Sequence, residues 1–170
     1  MSDVDLAVRL LRATPTHENR AEPQLREWAE TALAYGDELA ATGEDDGVRV
    51  VEREGGAGKR ELLLAEHHHG TVTVYSDSLQ KVEELARAKG WPVTREALRR
   101  AAVEHEIAHH RLDVRELNRR LGHTAIRFGC LRVRGHVAGA EEIAAHRFAH
   151  RRSGLAVSPL LITTALAGGK

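Results

Sequence analysis

The chain has 170 residues, 42% hydrophobic and 29% charged, and its 25 cationic and 25 anionic side chains cancel. This length predicts one domain over 1–170, a helical part to about residue 45 and a core from 46 onward. No apolar run approaches the ~18 residues of a membrane span, and without net charge no global field draws the chain to nucleic acid.

Leu6, Leu10 and Leu11 predict a short first helix, broken at Thr14-Pro15-Thr16. A second helix starts near Pro23 and carries Leu25, Trp28, Ala32, Tyr35 and Leu39 on one face. Gly43 to Gly47 reads as an acidic loop. Val48 to Arg53 and Arg60 to Glu66 are short β-rich runs, and Glu54 to Lys59 between them reads as a hairpin loop. Its glycines do not make a phosphate loop: no glycine stands five residues before Gly58, and Arg60 follows Lys59 in place of Ser or Thr.

Thr71 to Tyr75 alternates as a half-buried strand. Ser76-Asp77-Ser78 offers capping chemistry to a helix with Leu79, Val82, Leu85 and Ala86, stopped by Gly90. Trp91-Pro92 turns the chain, and Thr94 caps a long helix predicted to run to about Leu112. Asp113 and Glu116 open a short helix ended by Gly122. Arg115 to Arg134 contains six arginines and one acid, a local basic stretch read as a solvated face. A last strong helix begins near Ala140, and the apolar tail Leu155 to Ala167 is expected to pack back on the domain. These elements predict an α+β protein with a short, mainly antiparallel sheet.

The lone Cys130 cannot form an internal disulfide, and Met1-Ser2-Asp3-Val4-Asp5 lacks the basic and apolar regions of a signal peptide, which predicts a cytoplasmic protein. Histidine, at eleven residues, is in excess. The motif with a mechanism is His105-Glu106-Ile107-Ala108-His109, inside the predicted helix. Residues four apart share a helical face, so two imidazoles can hold one zinc ion. Glu106, about 100° round the helix from His105, stands beside that position, where a general base for a metal-activated water belongs. In projection, His105 and His109 share the arc of Leu98, Ala101, Ala102 and Leu112, so they face the interior.

The extended metzincin pattern requires glycine at 112 and histidine at 115, where Leu112 and Arg115 stand, so a third ligand must come from elsewhere. The helix after Ala140 offers Glu141, Glu142, His146 and His150. Glu142 and His146 share a face with Ala145 and Ala149, small residues that allow a close approach to the metal helix. His67-His68-His69 reads as exposed loop, His110 points away from the metal face, and Asp113 serves either as a helix cap or as an acceptor orienting His109.

His105 to His109, followed by Glu142-x-x-Ala145-x-x-Phe148-Ala149, resembles the ImmA/IrrE family of metallopeptidases, zincin-fold proteins related to the gluzincins. The resemblance covers roughly 70–152; the family usually has asparagine where His146 stands. It implies a zincin-like fold, Zn2+ held by His105, His109 and Glu142, and Glu106 as general base. The expected activity is zinc-dependent hydrolysis of peptide bonds in a protein or peptide substrate, held by strand addition to Thr71–Tyr75. His146 and Tyr75 are candidates to stabilise the oxyanion. Alternatives are a zinc hydrolase of a small-molecule amide, or a regulatory module with structural zinc that binds protein or nucleic acid through the Arg115–Arg134 stretch. No tight nucleic-acid binding and no membrane association are expected, and a regulatory protein partner is kept open.

Overall fold

The computed structural model describes residues 1–17, 19–42, 47–58, 62–128 and 131–168, with backbone only at 125–128 and 131–134. Residues 43–46 of the acidic loop, Arg60 with the start of its β run, Cys130, and the side chains of Arg127, Arg132 and Arg134 therefore lie outside the described residues. Among those described, the fold is α+β, with seven helices, a three-stranded mixed sheet and a two-stranded ribbon.

The helices begin and end where local chemistry favours it. In α1 (Asp3–Ala13), the Ser2 hydroxyl accepts from the Asp5 amide while the Asp5 carboxylate accepts from the Ser2 amide, a reciprocal capping box. α2 (Glu22–Thr42) follows the loop containing Pro15 and buries Leu25, Trp28, Ala32 and Tyr35, the face expected from their spacing.

The sheet departs from expectation. β1 (Arg49–Arg53) and β2 (Ala65–His68) do not pair as a hairpin; both flank β3 (Thr71–Tyr75), β1 in parallel and β2 antiparallel. The sheet is therefore mixed rather than mainly antiparallel, and the glycine loop after β1 is held by the helix that follows β3. The amides of Gly56 and Ala57 donate to the two carboxylate oxygens of Asp77, at 3.1 and 3.0 Å. An internal carboxylate thus occupies the amides that a phosphate loop would present to its ligand. Asp77 is consequently not a cap: α3 (Ser76–Ala88) starts directly from Tyr75 without a side-chain cap.

α4 (Arg95–Arg111) is capped by the Thr94 hydroxyl, which accepts from the Ala97 amide. Asp113 accepts from the amides of Arg115 and Glu116 and opens α5 (Val114–Leu121), which Gly122 closes at φ +63°. β4 (Thr124–Phe128) and β5 (Leu131–Arg134) then form an antiparallel ribbon within what the sequence offered only as a basic stretch. Of those arginines, Arg119 and Arg120 are paired with Glu116, and Arg120 also with Glu38.

α6 (Ala140–Ser153) packs between α2 and α4, and α7 (Pro159–Gly168) folds back on α1 and α6. One hydrophobic cluster joins Leu6 and Trp28 to Val72, Leu98, Phe148 and Ile162. The indole of Trp28 donates to Leu121 O at 3.1 Å, tying α2 to the end of α5. The contact between α2 and α6 depends on Gly36, where an added Cβ would meet Ala144 O at 2.5 Å and Arg147 Cβ at 2.9 Å. Beside it, Arg147 donates to Asp37 at 2.8 and 3.1 Å and to Asp3 at 2.8 Å.

This packing predicts the sign of Gly36→Ala. Alanine gains up to about 1 kcal/mol of helix propensity. The forced separation of two helix backbones costs about 1–3 kcal/mol, so the variant is less stable. Chemical denaturation checks this; a variant more stable than wild type would contradict the packing.

Candidate metal centre

Two helices bring the cluster together. On α4 the apolar face formed by Leu98, Ala101, Ala102 and Ala108 is buried, and His105 and His109 lie on that side one turn apart. Their Nε2 atoms are 3.2 Å from each other. On α6, Gly139 at φ +87° turns the chain into the first helical residue, and its own Cβ would crowd Leu10 and Thr14 of the α1 region at 3.1 Å. Glu142 sits three residues later, in the first turn, where the helix dipole favours a negative charge.

The carboxylate of Glu142 reaches both imidazoles. One oxygen is 3.4 Å from His105 Nε2 and the other 3.2 Å from His109 Nε2. Ligand atoms bound at about 2.0–2.2 Å in a tetrahedral shell stand roughly 3.3–3.5 Å apart, so these separations fit three donors converging on one ion. His146 completes the group from one turn further along α6. Its ring is 4.5 Å from that of His105, and the ligand atoms of His105, Glu142 and His146 all lie within 4.8 Å of one another. The group formed by His105, Glu142 and His146 is able to hold a metal ion.

The charges are arranged accordingly. Hydrogen bonds to His105 and His109 hold the Glu142 carboxyl far below the usual carboxylate range, and the same bond to Glu142 raises His109. Burial, assisted by the nearby His105, pushes His146 down to about 3, so it is a neutral imidazole near neutral pH. Its Nε2 stands 3.5 Å from the hydroxyl of Thr163 on α7. The Nδ1 of His105 is buried without a hydrogen-bond partner in the described structure. Asp113 is engaged as the cap of α5, so of its two expected roles the structure shows the cap.

Glu106 and His105 open on a cavity of about 720 Å³, which His146 also lines. The other histidines and acids turn elsewhere. Glu141 is 3.7 Å from His136, and His150 is 3.9 Å from Asp3. His67 and His68 belong to β2 rather than to a loop. His67 is half-buried with its ring 3.9 Å from that of His110, because strand residues alternate and the side of β2 that carries Ala65 and His67 lies against α4. His68 and His69 are exposed, as expected.

Two expectations are corrected. Tyr75 is not positioned for an oxyanion: its hydroxyl donates to Glu66 and accepts from Arg53 on the sheet, and it does not line the cavity. Strand addition to Thr71–Tyr75 is excluded as well, because β3 has neighbours on both sides and no free edge. The segment that borders the cavity is Leu62 to Ala65, leading into edge strand β2. This segment lies within the expected Arg60–Glu66 run, but nothing in the sequence gives strand order, so its place at the cavity does not follow from the sequence. The α7 residues at the cavity follow helical spacing and could have been found by projection.

No protein-family description, curated protein or solved structure matches this chain.

Two predictions follow from the geometry. Glu142→Ala removes the carboxylate that faces both Nε2 atoms and lowers metal affinity severely, whereas His146→Ala leaves a bound metal in place; titration with a divalent metal distinguishes them. The second concerns pH. In the metal-free protein, the His109 contribution to stability is complete below the ordinary imidazole value and is lost as pH rises through its raised value. The Glu142 contribution is present above the ordinary carboxylate value and is lost only as pH falls through its depressed one. A metal needs the imidazole deprotonated, so the stabilisation by added metal grows as pH rises through the imidazole range. Melting temperatures with metal and with chelator between pH 6 and 8 measure it.

Proposed function

We propose that this protein is a zinc-dependent metallopeptidase of the kind the ImmA/IrrE resemblance implies. The observation that carries the proposal is the convergence of the His105 and His109 Nε2 atoms on the two oxygens of Glu142, with Glu106 beside them on the cavity. His105, His109 and Glu142 would hold the ion. When bound, zinc supplies Lewis acidity, polarising a carbonyl and acidifying water.

The remaining work belongs to the side chains. Glu106 takes a proton from water and returns it to the departing amine. Its charge also reaches His109, contributing to that residue's raised value. His146, kept neutral by burial, has a nitrogen proton to donate towards the carbonyl oxygen as negative charge develops there. Leu62 to Leu64 line the cavity with main-chain groups already engaged: the Leu63 amide donates to Gly56 O and Leu64 O accepts from the Tyr75 amide.

Glu106→Gln removes the base and keeps both imidazoles. The expected outcome is wild-type zinc content by metal analysis and at least a 100-fold loss of peptide hydrolysis, the size of a general-base contribution. His105→Ala and His109→Ala lose zinc and activity together. Zinc-loaded Glu106→Gln hydrolysing peptides at the wild-type rate would refute the mechanism.

A further inference from the structure

One wall of the cavity is a loop, and the residue that holds this loop stands outside the cavity. Gly58 on the outgoing limb and Leu62 to Leu64 on the returning limb line the space beside His105 and Glu106. A bridge between Ala57 and Leu62 joins the two limbs, as does the Leu63 amide, which donates to Gly56 O at 2.9 Å. The returning limb is tied to the sheet, where Leu64 O accepts from the Tyr75 amide at 2.9 Å. The outgoing limb is tied to α3 by Asp77, whose two carboxylate oxygens accept from the Gly56 and Ala57 amides at 3.1 and 3.0 Å. The amides of Ala57, Gly56, Gly55 and Ser78 hold the Asp77 carboxyl below the usual carboxylate range. Gly56 is buried against the start of α3, where an added Cβ would collide with Leu63 O, Tyr75 Cβ and Ser78 Oγ. One turn after Asp77, Lys81 reaches the cavity wall, so one face of α3 both holds the loop and borders the space it encloses.

We infer that Asp77 is a positioning residue of this site: by clamping the Gly56 and Ala57 amides it fixes the loop wall against which substrate binds, without itself touching substrate or metal. The inference rests on the peptidase reading and adds a residue that lies outside the metal motif. A carboxylate that accepts from backbone amides makes charge-assisted bonds, roughly twice as strong as neutral ones. Without them the outgoing limb opens locally while the rest of the fold stays closed, because segments with few ties open at a lower free energy than the core. The metal ligands and Glu106 are carried by α4 and α6, not by this loop. Displacing the loop therefore weakens substrate binding and leaves the chemical step as it was.

The test compares Asp77→Ala and Asp77→Asn with Gly56→Ala, which displaces the same loop while keeping the carboxylate. Amide exchange is followed by NMR, and zinc content, kcat and KM for peptide hydrolysis are measured on the zinc-loaded proteins. Asp77→Ala is expected to speed exchange of the Gly56, Ala57 and Leu63 amides at least tenfold, with α4 and α6 protected as in wild type. KM should rise at least about fivefold while kcat and zinc content stay within about twofold of wild type, a split that a role in stability alone would not produce. Asp77→Asn keeps one acceptor oxygen and restores part of both effects, and Gly56→Ala raises KM as Asp77→Ala does. Should Asp77→Ala fail to fold, the other two variants carry the same test. Exchange at the wild-type rate, faster exchange with unchanged KM, or loss of zinc together with kcat overturns the inference while leaving the peptidase reading intact. If the wild type cleaves no peptide, the peptidase reading falls, and the clamp is decided by exchange and by the methyl resonances of Leu62 and Leu64: their displacement in Asp77→Ala sustains it, and wild-type positions overturn it.

Discussion

The candidate centre depends on how closely α6 approaches α4. A carboxylate on one helix reaches two imidazoles on another at 3.2 and 3.4 Å only if the helix axes are close, and that closeness comes from alanine. Ala101, Ala102 and Ala108 on α4, with Ala145 and Ala149 on α6, are all buried. Helices that bury small side chains at their contact can approach to the lower end of the usual interaxial range, about 8 Å. The opposite face of α6 is held in the same way, by Gly36 of α2, so α6 is fixed from two sides. The amino-terminal helices, which no motif explains, thereby acquire a role: they brace the element that carries Glu142.

Charge pairing reinforces this packing where it is least exposed to water. Glu104, one residue before the first histidine, is buried and accepts from Arg152 of α6 at 2.8 Å. The guanidinium of Arg152 also lies 5.3 Å from the ring of Phe148, itself fully buried. Breaking such a pair by removing one partner strands a charge in the interior, so it holds the two helices in one register more strictly than apolar contact alone. The pair closes one end of the α4–α6 contact while the His–Glu cluster forms the other.

Much of this was legible in the sequence because helical patterns are local. The caps at Thr94 and Asp113, the face of α2 and the extent of α4 follow from spacing and capping chemistry. Spacing also puts Glu142 and His146 on the side of α6 that could approach, marked by small residues at 145 and 149, while the choice of Glu142 between them is what the family resemblance implies. What failed was non-local. The β1–β2 hairpin seemed natural because the runs are adjacent and joined by glycines, yet Asp77, some twenty residues on, binds that loop and β3 inserts between the strands. The ribbon of β4 and β5 is hidden in the sequence by the six arginines of its basic stretch, although Thr124 to Val133 has the composition of strands. Tyr75 was an oxyanion candidate by its proximity in sequence, and its hydrogen bonds to Glu66 and Arg53 show the hydroxyl committed to the sheet.

The same constraint explains why a polar cluster and an apolar cavity adjoin. If α4 and α6 approach over alanines, there is little side-chain volume between them to fill the space above their contact, and α7 and the Leu62–Ala65 edge enclose it without occupying it. Around His146 the consequence is electrostatic. Desolvation by these walls favours the neutral form of His146, while Glu142, half-exposed and bonded by two imidazoles, keeps its charge. The packing that brings the donors together thus also sets their protonation, one neutral donor and one carboxylate on successive turns of one helix. Small residues at the helix contact therefore govern three properties at once: the spacing of the ligand atoms, the room beside them, and the charge state of the groups facing that room.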